Sequence, residues 1–306
     1  MSVPEGRAEP APVRARAADP PRVLVGTNTY QAGPAAFDRQ QAAVGALLAL
    51  EGIEPVNVQF AREPHQVPGL RTLPLLTRTS NSVSGRSGPS KPIVSEILDV
   101  LAADASKQGI EYICFTNSDI VFTQQAVDWI VESRKEACLF SREDFDGATG
   151  AALKVELAGV DVIAVATRWW IAQRRRFRGY IAGEPCWDNV YTAIVMCHAD
   201  AAIDNRRGLV RHETHAAAWS NSPFAQYTRL LTALDAGYFS LWFRYWEGLV
   251  RLRAAGAGAE EEAAWAREVF VWQPGPRARL VQRGRDLKAV VRYAWWKLRA
   301  ARVSSA

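Results

Sequence analysis

Cysteine and histidine are scarce in this 306-residue sequence, which contains four of each. The cysteines show no paired spacing, so no disulfide framework is predicted; they are Cys114, Cys138, Cys186 and Cys197. Cys114 lies in a strand-like apolar run, where a free thiol behaves as a small hydrophobic side chain. We therefore expect four reduced thiols in a cytoplasmic protein.

Long hydrophobic runs are also missing. No stretch reaches the roughly 18 apolar residues of a membrane-spanning helix. The N-terminal segment MSVPEGRAEPAPVRARAADPPR lacks the apolar core of a signal peptide. Its proline, alanine and arginine content predicts a disordered leader over residues 1–21.

An acidic excess is absent as well. The formal net charge is +5 and the pI is about 9.1, a balance that favours phosphate-containing ligands or an anionic surface. Hydrophobic residues make up 48% of the chain and charged residues 23%, as in ordinary globular domains. The length is sufficient to bury a substantial core.

What the sequence does contain is an alternation of strands and helices. Strands are predicted at 22–30, 54–60, 111–122, 137–141 and 159–167. Helices are predicted at 35–51, 92–107, 124–135 and 189–199. The alternation predicts an α/β fold over residues 22–222, with a central, mostly parallel sheet flanked by helices. Helices dominate from 223 to 306, where we expect a helical C-terminal extension.

Three of the predicted strands end in polar residues. The polar segments are Thr27-Asn28-Thr29, Asn117-Ser118-Asp119 and Arg142-Glu143-Asp144. Open α/β sheets bind ligands at the carboxyl ends of their strands. Asp119 needs the strongest explanation, because a buried unpaired carboxylate is costly. We therefore predict a binding site at this edge of the sheet; the alternative is that Asp119 is a turn or capping residue.

The order of the motifs resembles that of GT-A-type nucleotide-sugar glycosyltransferases of the family 2 kind. A strand ending in NSD (117–119) is followed by WDN (187–189) and then by HETH (212–215). In that family a DxD-like triplet at the end of a central strand holds a divalent cation, and here Asn117 stands where the first Asp usually does. The resemblance covers residues 22–220 and implies a GT-A, Rossmann-like fold.

The resemblance also implies a cation site and a nucleotide-sugar donor. Asp119 would bind Mn²⁺ or Mg²⁺ together with the phosphates of the donor. His212 or His215 would supply a further ligand, which favours manganese. Asn117 would hydrogen-bond the ribose or a metal-bound water. Alternatively, the two histidines simply face one another on a surface helix or turn; a zinc hydrolase is disfavoured because no HExxH motif is present.

Asp188 is the candidate general base. An inverting transfer needs a carboxylate that accepts the proton of the acceptor hydroxyl. In the family this base commonly follows a glycine-containing loop at the start of a helix, and the segment 183–189 has that layout. Trp187 would stack on a sugar ring, and Glu184 is the reserve base. Alternatively, Asp188 only caps the helix, and a retaining enzyme would not need it as a base.

Two segments supply candidate residues for nucleotide binding. Thr27 and Asn28 at the end of the first strand would contact the base or the ribose. Three basic residues precede the NSD strand, on a loop and a helix start whose free N–H groups attract anions; they are Arg78, Arg86 and Lys91. The alternative is that these side chains are only solvated. The segment 142–144 would shape the donor-sugar pocket or form a surface turn.

The C-terminal region is strongly basic. Residues 277–302 contain nine Lys and Arg residues and one acid, with Trp295 and Trp296 among them. The spacing predicts a basic amphipathic helix at 283–302 that would place the protein on an anionic membrane surface, at the inner face where a lipid-linked acceptor is found. An ordinary packing helix is the alternative. No nucleic-acid-binding module accompanies it, so no nucleic-acid partner is expected.

The resemblance therefore implies a glycosyltransferase of polysaccharide biosynthesis that moves a sugar from a nucleoside-diphosphate donor to a hydroxyl of a glycan or lipid-linked acceptor. The departure at Asn117 leaves open a non-catalytic nucleotide- or carbohydrate-binding protein. A nucleotidyltransferase ranks lower, because the segment GTNTYQAGP after the first strand lacks the basic residue of a phosphate loop.

Overall fold

The computed structural model describes residues 22–31, 33–62, 67–215, 222–271 and 291. The predicted leader at 1–21 lies outside these residues, and so does the basic segment at 283–302 except for residue 291. Among the described helices, none is long and apolar enough to cross a membrane.

The described strands and helices alternate over the first two thirds of the chain. The strands are β1 (Val23–Thr27), β2 (Ile53–Phe60), β3 (Arg71–Leu76), β4 (Tyr112–Thr116), β5 (Ile120–Phe122), β6 (Ala137–Phe140), β7 (Glu143–Phe145), β8 (Ala152–Val155), β9 (Val162–Ala166), β10 (Ala201–Asp204) and β11 (Val210–Glu213). The helices are α1 (Pro34–Leu48), α2 (Ser80–Ser84), α3 (Val94–Gln108), α4 (Gln124–Glu132), α5 (Thr167–Gln173), α6 (Trp187–His198), α7 (Ala225–Leu234), α8 (Ala236–Ala254) and α9 (Ala259–Phe270).

Seven strands form the central sheet, in the order β10-β6-β9-β4-β1-β2-β3. Neighbouring strands are parallel except at β9, which runs antiparallel to both β4 and β6. The strands β1, β4 and β9 are buried along their whole length, which explains why they are continuous apolar runs in the sequence. Gly26 in β1 allows Leu101 of α3 to lie directly against the strand. The predicted α/β fold, with a mostly parallel sheet flanked by helices, is confirmed.

The predicted strand at 111–122 is wrong as a single element. It is two strands in different sheets, β4 in the central sheet and β5 in a smaller one, separated by a turn at 117–119. The turn is closed by the Ile120 N–H, which donates to the Asn117 carbonyl at 3.3 Å. The polar triplet leaves the buried sheet at this point, because three polar side chains have no hydrogen-bond partners in an apolar strand interior.

A four-stranded sheet lies beside the carboxyl ends of the central strands. Its order is β5-β11-β7-β8, with β11 antiparallel to β5 and parallel to β7. In this register His212 of β11 is paired with Ile120 on one side and with Asp144 on the other. The small sheet therefore brings three distant parts of the chain to one place.

The C-terminal helices pack onto the same core as the sheet. α8 lies against α6, and α9 lies against α8. Glu262 of α9 is buried and accepts hydrogen bonds from Arg206 and Arg253, which fastens α9 to α8 and to the loop after β10. The Ala/Gly/Glu-rich composition of residues 254–263 is typical of a linker, but the segment is mostly helical, since α8 ends at residue 254 and α9 begins at residue 259.

Candidate functional site

The polar strand ends meet at the carboxyl edge of the central sheet. β9 runs antiparallel, so the strand begins at the edge where β4 and β6 end, and Val162 pairs with both Thr116 and Phe140. The residue before β9, Asp161, is consequently next to Asn117, which follows β4, and to the segment that follows β6. The sequence did not single out Asp161, because it lies inside the apolar run that predicts the strand.

Asp119, His212 and His215 form a cluster at this edge. The Oδ2 atom of Asp119 is 3.2 Å from Nε2 of His215 and 3.6 Å from Nε2 of His212, and the two Nε2 atoms are 3.2 Å apart. Among the described residues, these three offer ligand atoms that all lie within 4.8 Å of one another. The three residues that the sequence nominated as metal ligands therefore come together, although 93 residues separate Asp119 from His212 in the chain.

The spacing of the three atoms matches one face of a metal coordination shell. Ligand bonds of about 2.1 Å place neighbouring ligand atoms about 3.0 Å apart in an octahedral shell and about 3.4 Å apart in a tetrahedral one. The observed separations of 3.2, 3.2 and 3.6 Å lie close to these values. A cation held on this face keeps its remaining positions for oxygen atoms of a ligand or for water.

His212 is oriented by a second carboxylate. Its Nδ1 atom donates to Oδ1 of Asp144 at 3.2 Å, and Asp144 is almost completely buried. A proton on Nδ1 leaves the lone pair of Nε2 pointing at Asp119 and His215, the arrangement that orients metal-binding histidines in proteins. Asp144 was expected to line a sugar pocket or a surface turn, and instead it supports His212.

The carboxyl group of Asp119 stays ionised at neutral pH. Burial by itself raises its pKa, but when the imidazoles of His212 and His215 are protonated, their hydrogen bonds and positive charges outweigh burial and lower the pKa to about 2. A bound cation would take the place of the protons on Nε2. This pairing answers the objection to a polar residue in a buried run: the carboxylate has two partners in the protein and remains 27% exposed.

Asp161 and Arg142 form a buried ion pair next to the cluster. The Nη1 atom of Arg142 lies 3.0 Å from both carboxylate oxygens of Asp161, and its Nε donates to Asp144 at 2.8 Å. Asn117 donates its side-chain amide to Asp161 at 3.2 Å. Burial raises the pKa of Asp161, an effect that the Arg142 guanidinium opposes. The amide group of Asn117, which was expected to contact the ribose or a metal-bound water, is thus engaged with Asp161.

Asp188 occupies the first turn of α6. The N-cap residue is Cys186, in a left-handed conformation with φ of 75°, so the alternative that Asp188 is only the helix N-cap is wrong. One carboxylate oxygen of Asp188 lies so close to Gly159 that a Cβ atom there would be 2.5 Å away. Gly159 is therefore needed for this approach, and it places Asp188 beside the chain segment that carries Asp161.

The pKa of Asp188 is raised to about 7. Burial is the main cause, and the negative charge of Asp161 adds to it, while backbone N–H groups of Val160 and of the helix start oppose the rise. The residue remains partly exposed, so a proton can reach it. A carboxyl group that changes protonation near pH 7 is suited to accept a proton from a hydroxyl.

The neighbours of Asp188 differ from expectation. Trp187 is only 4% exposed, and its ring packs against Phe115 and Tyr191 with ring centroids 5.6 and 6.2 Å apart. The ring belongs to the core, so the prediction that it stacks on a sugar is corrected. Glu184 is buried and paired with Lys91 at 2.7 Å. The reserve base is therefore already neutralised by a cation of the protein.

The start of α3 is not open to anions. The Val94 N–H donates to the Tyr180 carbonyl, and the Ala182 N–H donates to the Pro92 carbonyl, so the segment 180–182 covers this helix end. The prediction that its free N–H groups bind phosphate is therefore corrected. Lys91, directly before it, keeps a partly exposed ammonium group that is tied to Glu184.

The two predicted arginines lie in separate surroundings. Arg86 donates to Gln226 of α7 at 2.6 Å. The guanidinium of exposed Arg78 lies over Gly179, where a Cβ atom would be 2.6 Å from Nη2. These contacts do not join either side chain to the cluster of Asp119, and a role in nucleotide binding stays a prediction for both.

The residues at the end of β1 are polar, and those that follow contact the neighbouring strand β2. Thr27 is buried, and Asn28 donates its side-chain amide to the Val58 carbonyl at 2.6 Å. Tyr30 was not among the predicted site residues, and it is 53% exposed. The pKa of its phenol is raised, mainly by partial burial and secondly by the negative charge of Asp119. The segment after β1 therefore lies within electrostatic range of Asp119.

The sequence matches no protein-family model and no curated protein. Its fold is similar to solved structures. TarS 1-349 of S. aureus, in complex with UDP-GlcNAc, aligns with 13% identity and a TM-score of 0.49 over 92% of this chain and 90% of that chain. The mannosyltransferase PcManGT of Pyrobaculum calidifontis, in complex with GDP-Man and Mn²⁺, aligns with 14% identity and a TM-score of 0.40 over 93% and 85%.

Proposed function

We propose that this protein is a metal-dependent glycosyltransferase that moves a sugar from a nucleoside-diphosphate donor to a hydroxyl group of an acceptor. The observation that carries the proposal is the cluster of Asp119, His212 and His215 at the carboxyl edge of a mostly parallel sheet, with Asp188 at the same edge. A cation site and a carboxylate that titrates near neutrality are the two groups such a transfer requires.

Asp119, His212 and His215 would hold the cation. Two imidazole nitrogens and one carboxylate favour Mn²⁺ over Mg²⁺, since magnesium prefers oxygen ligands. When bound, the cation supplies positive charge that neutralises the diphosphate as it leaves the sugar. Asp144 keeps His212 in the tautomer that leaves Nε2 available.

Asp188 would accept the proton of the attacking hydroxyl, which implies inversion at the anomeric carbon. The raised pKa supports this role, because a carboxyl group whose pKa lies near neutrality is both available in its ionised form and able to accept a proton at that pH. It lies in the first turn of α6, beside the Asp161 segment, and the residue is partly exposed.

Nucleotide binding is proposed for the end of β1 and for the basic residues before β4. Thr27, Asn28, Arg78, Arg86 and Lys91 are the residues concerned. The acceptor would be a glycan or a lipid-linked sugar in polysaccharide biosynthesis, and the basic segment at 283–302 would hold a cytoplasmic enzyme at the membrane that carries such an acceptor. That segment lies outside the described residues apart from Val291.

Cation binding is the first test. Titration of the protein with Mn²⁺, followed by the electron paramagnetic resonance of the free ion, should give a single site that is lost in Asp119→Ala and weakened at least about tenfold in His215→Ala. His198→Ala is the matched control, because His198 lies at the end of α6 and contacts Tyr238 instead of the cluster. Unchanged Mn²⁺ affinity in Asp119→Ala would refute the cation site.

Donor binding is the second test. A thermal-shift screen of UDP-, GDP- and dTDP-sugars, with and without Mn²⁺, should show stabilisation by one nucleotide class that requires the ion. If no nucleotide stabilises the wild-type protein, the transferase proposal fails. If a nucleotide sugar binds but is not turned over with any acceptor, and Asp188→Asn binds it equally well, the non-catalytic alternative takes its place.

A further inference from the structure

Asp161 makes contacts that no step of the proposed reaction requires. Its two carboxylate oxygens accept three hydrogen bonds, one from Asn117 and two from Arg142. The side chain is buried, so these bonds are shielded from water and from salt. Each donor leads to a different part of the cation cluster.

The first connection runs through the turn after β4. Asn117 begins the turn that carries Asp119, and its backbone carbonyl accepts from the Ile120 N–H. The amide of Asn117 is held by Asp161 at 3.2 Å. Fixing Asn117 therefore fixes the turn on which the carboxylate ligand sits.

The second connection runs through Arg142. Its guanidinium lies between two buried carboxylates, with Nη1 at 3.0 Å from both oxygens of Asp161 and Nε at 2.8 Å from Asp144. Asp144 in turn accepts from Nδ1 of His212. The guanidinium is planar, so the contact with Asp161 also sets the direction in which Nε meets Asp144.

We propose that Asp161 is a positioning residue for the cation site: one buried carboxylate holds the turn of Asp119 through Asn117 and the imidazole of His212 through Arg142 and Asp144. The proposal rests on the cation site of the proposed function. It assigns Asp161 no contact with the cation or with substrate.

The same contact explains why residue 117 is asparagine. The side-chain nitrogen of Asn117 lies 3.2 Å from Oδ1 of Asp161. In an aspartate at position 117, a carboxylate oxygen would take the place of this nitrogen and face Asp161 at about the same distance. Two carboxylates at that distance cannot both be ionised without a large penalty. The amide of Asn117 donates a hydrogen bond to Asp161, whereas a carboxylate at this position would repel it.

The test is Mn²⁺ affinity in four variants, measured on the full chain together with thermal unfolding in EDTA. Asp161→Asn should weaken Mn²⁺ binding about tenfold or more, as changes behind metal ligands commonly do. Asn117→Asp should also weaken it. The exchange variant N117D/D161N keeps the net charge and restores an amide–carboxylate pair, so it should bind Mn²⁺ more tightly than Asn117→Asp alone.

Asp235→Asn is the matched control. Asp235 is also a buried aspartate that accepts from an arginine, Arg178, at 2.9 Å, but it contacts Tyr180 instead of the cluster. It should lower the unfolding temperature and leave Mn²⁺ affinity unchanged. If Asp161→Asn does not fold, Asn117→Ala removes only one of the three bonds and should weaken Mn²⁺ binding about threefold.

The outcomes separate this inference from the proposed function. Absence of Mn²⁺ binding by the wild-type protein would overturn both. Equal Mn²⁺ affinity in the wild-type protein and Asp161→Asn, or in Asn117→Ala where that variant is needed, would overturn the inference alone. An exchange variant that binds no better than Asn117→Asp, or an Asn117→Asp variant that binds more tightly than the wild type, would also overturn it.

Discussion

Replacing Asp188 by asparagine should change how the stability of the protein depends on pH. In the folded protein the pKa of Asp188 is about 7, whereas its ordinary value is 3.8. Between these two pH values the folded protein keeps a proton that the unfolded chain has released. Raising the pH therefore favours the unfolded state, and Asp188 lowers the stability of the wild-type protein progressively from about pH 4 to about pH 7.

The magnitude follows from the size of the shift. About three pKa units, at about 1.4 kcal/mol each, correspond to about 4 kcal/mol. Asp188 is partly exposed, and screening by water reduces this figure. About 1 kcal/mol of this effect is already present at pH 4.5, which lies above the unfolded pKa. Between pH 4.5 and pH 8 we therefore expect the stability of Asp188→Asn to rise relative to that of the wild type by about 2 to 3 kcal/mol. The amide of the variant does not titrate. Any hydrogen bonds to the helix start that the variant loses therefore shift the difference in unfolding free energy by the same amount at every pH.

The assay is urea denaturation of both proteins in EDTA at several pH values between 4.5 and 8. The measured quantity is the difference in unfolding free energy, plotted against pH. Asp146→Asn is the control, because Asp146 is an exposed carboxylate whose pKa is lowered by hydrogen bonds from Thr149. It should show no slope over this range. A flat difference for Asp188→Asn would refute the conclusion that the protein holds this carboxyl group in a poorly hydrated, negatively charged environment.

Three further predictions concern turnover, the core and a buried ion pair. Once a donor and an acceptor are identified, turnover can be measured by the release of nucleoside diphosphate. The value of kcat/KM should rise with pH and level off above about pH 7, and Asp188→Asn should lower kcat by about 100- to 10,000-fold. Normal turnover by this variant would exclude Asp188 as the base. Trp187→Ala should cost about 3 to 5 kcal/mol of stability, because it empties a core position, while KM changes little. A large rise in KM with an unchanged unfolding temperature would instead support the stacking role. Lys91→Met should lower the free energy of unfolding, measured by urea denaturation, by about 3 kcal/mol, because it leaves the buried carboxylate of Glu184 without its cation. The additional change Glu184→Gln should recover most of that loss. If it does not, Lys91 stabilises the fold in another way.

Five of the seven central strands could be predicted as apolar runs, whereas β3 and β10 at the two edges of the sheet were not predicted, because both are only partly buried. The runs VLVGT in β1 and VIAVA in β9 are apolar throughout, and that composition distinguishes them from their surroundings. The short strands of the small sheet carry no such signal. The strand β7 has the sequence EDF and β11 has the sequence VRHE, so they are strands because of the neighbours that pair with them.

The candidate ligands could be nominated from the sequence, but their arrangement could not. Asp119 is conspicuous because it interrupts a buried apolar run. His212 and His215 were nominated because the order of the motifs NSD, WDN and HETH resembles that of GT-A glycosyltransferases. That all three face one another follows from the register of β11 between β5 and β7. Trp187 shows the limit of local inference: a tryptophan beside a candidate base is equally suited to a sugar or to the core, and only the positions of Phe115 and Tyr191 decide between them.

The sequence by itself determined the α/β alternation and the polar ends of three strands, because both follow from local composition and spacing. Only the tertiary structure decided that β9 runs antiparallel, and this direction brings Asp161 to the edge where Asn117 and Arg142 lie. A strand's direction depends on the path of the chain between strands and on packing with distant segments, neither of which a run of apolar residues records. The role of Asn117 likewise depends on the tertiary structure. In the sequence it is a departure from an acidic triplet, whereas in the fold its side-chain amide donates a hydrogen bond to the buried Asp161.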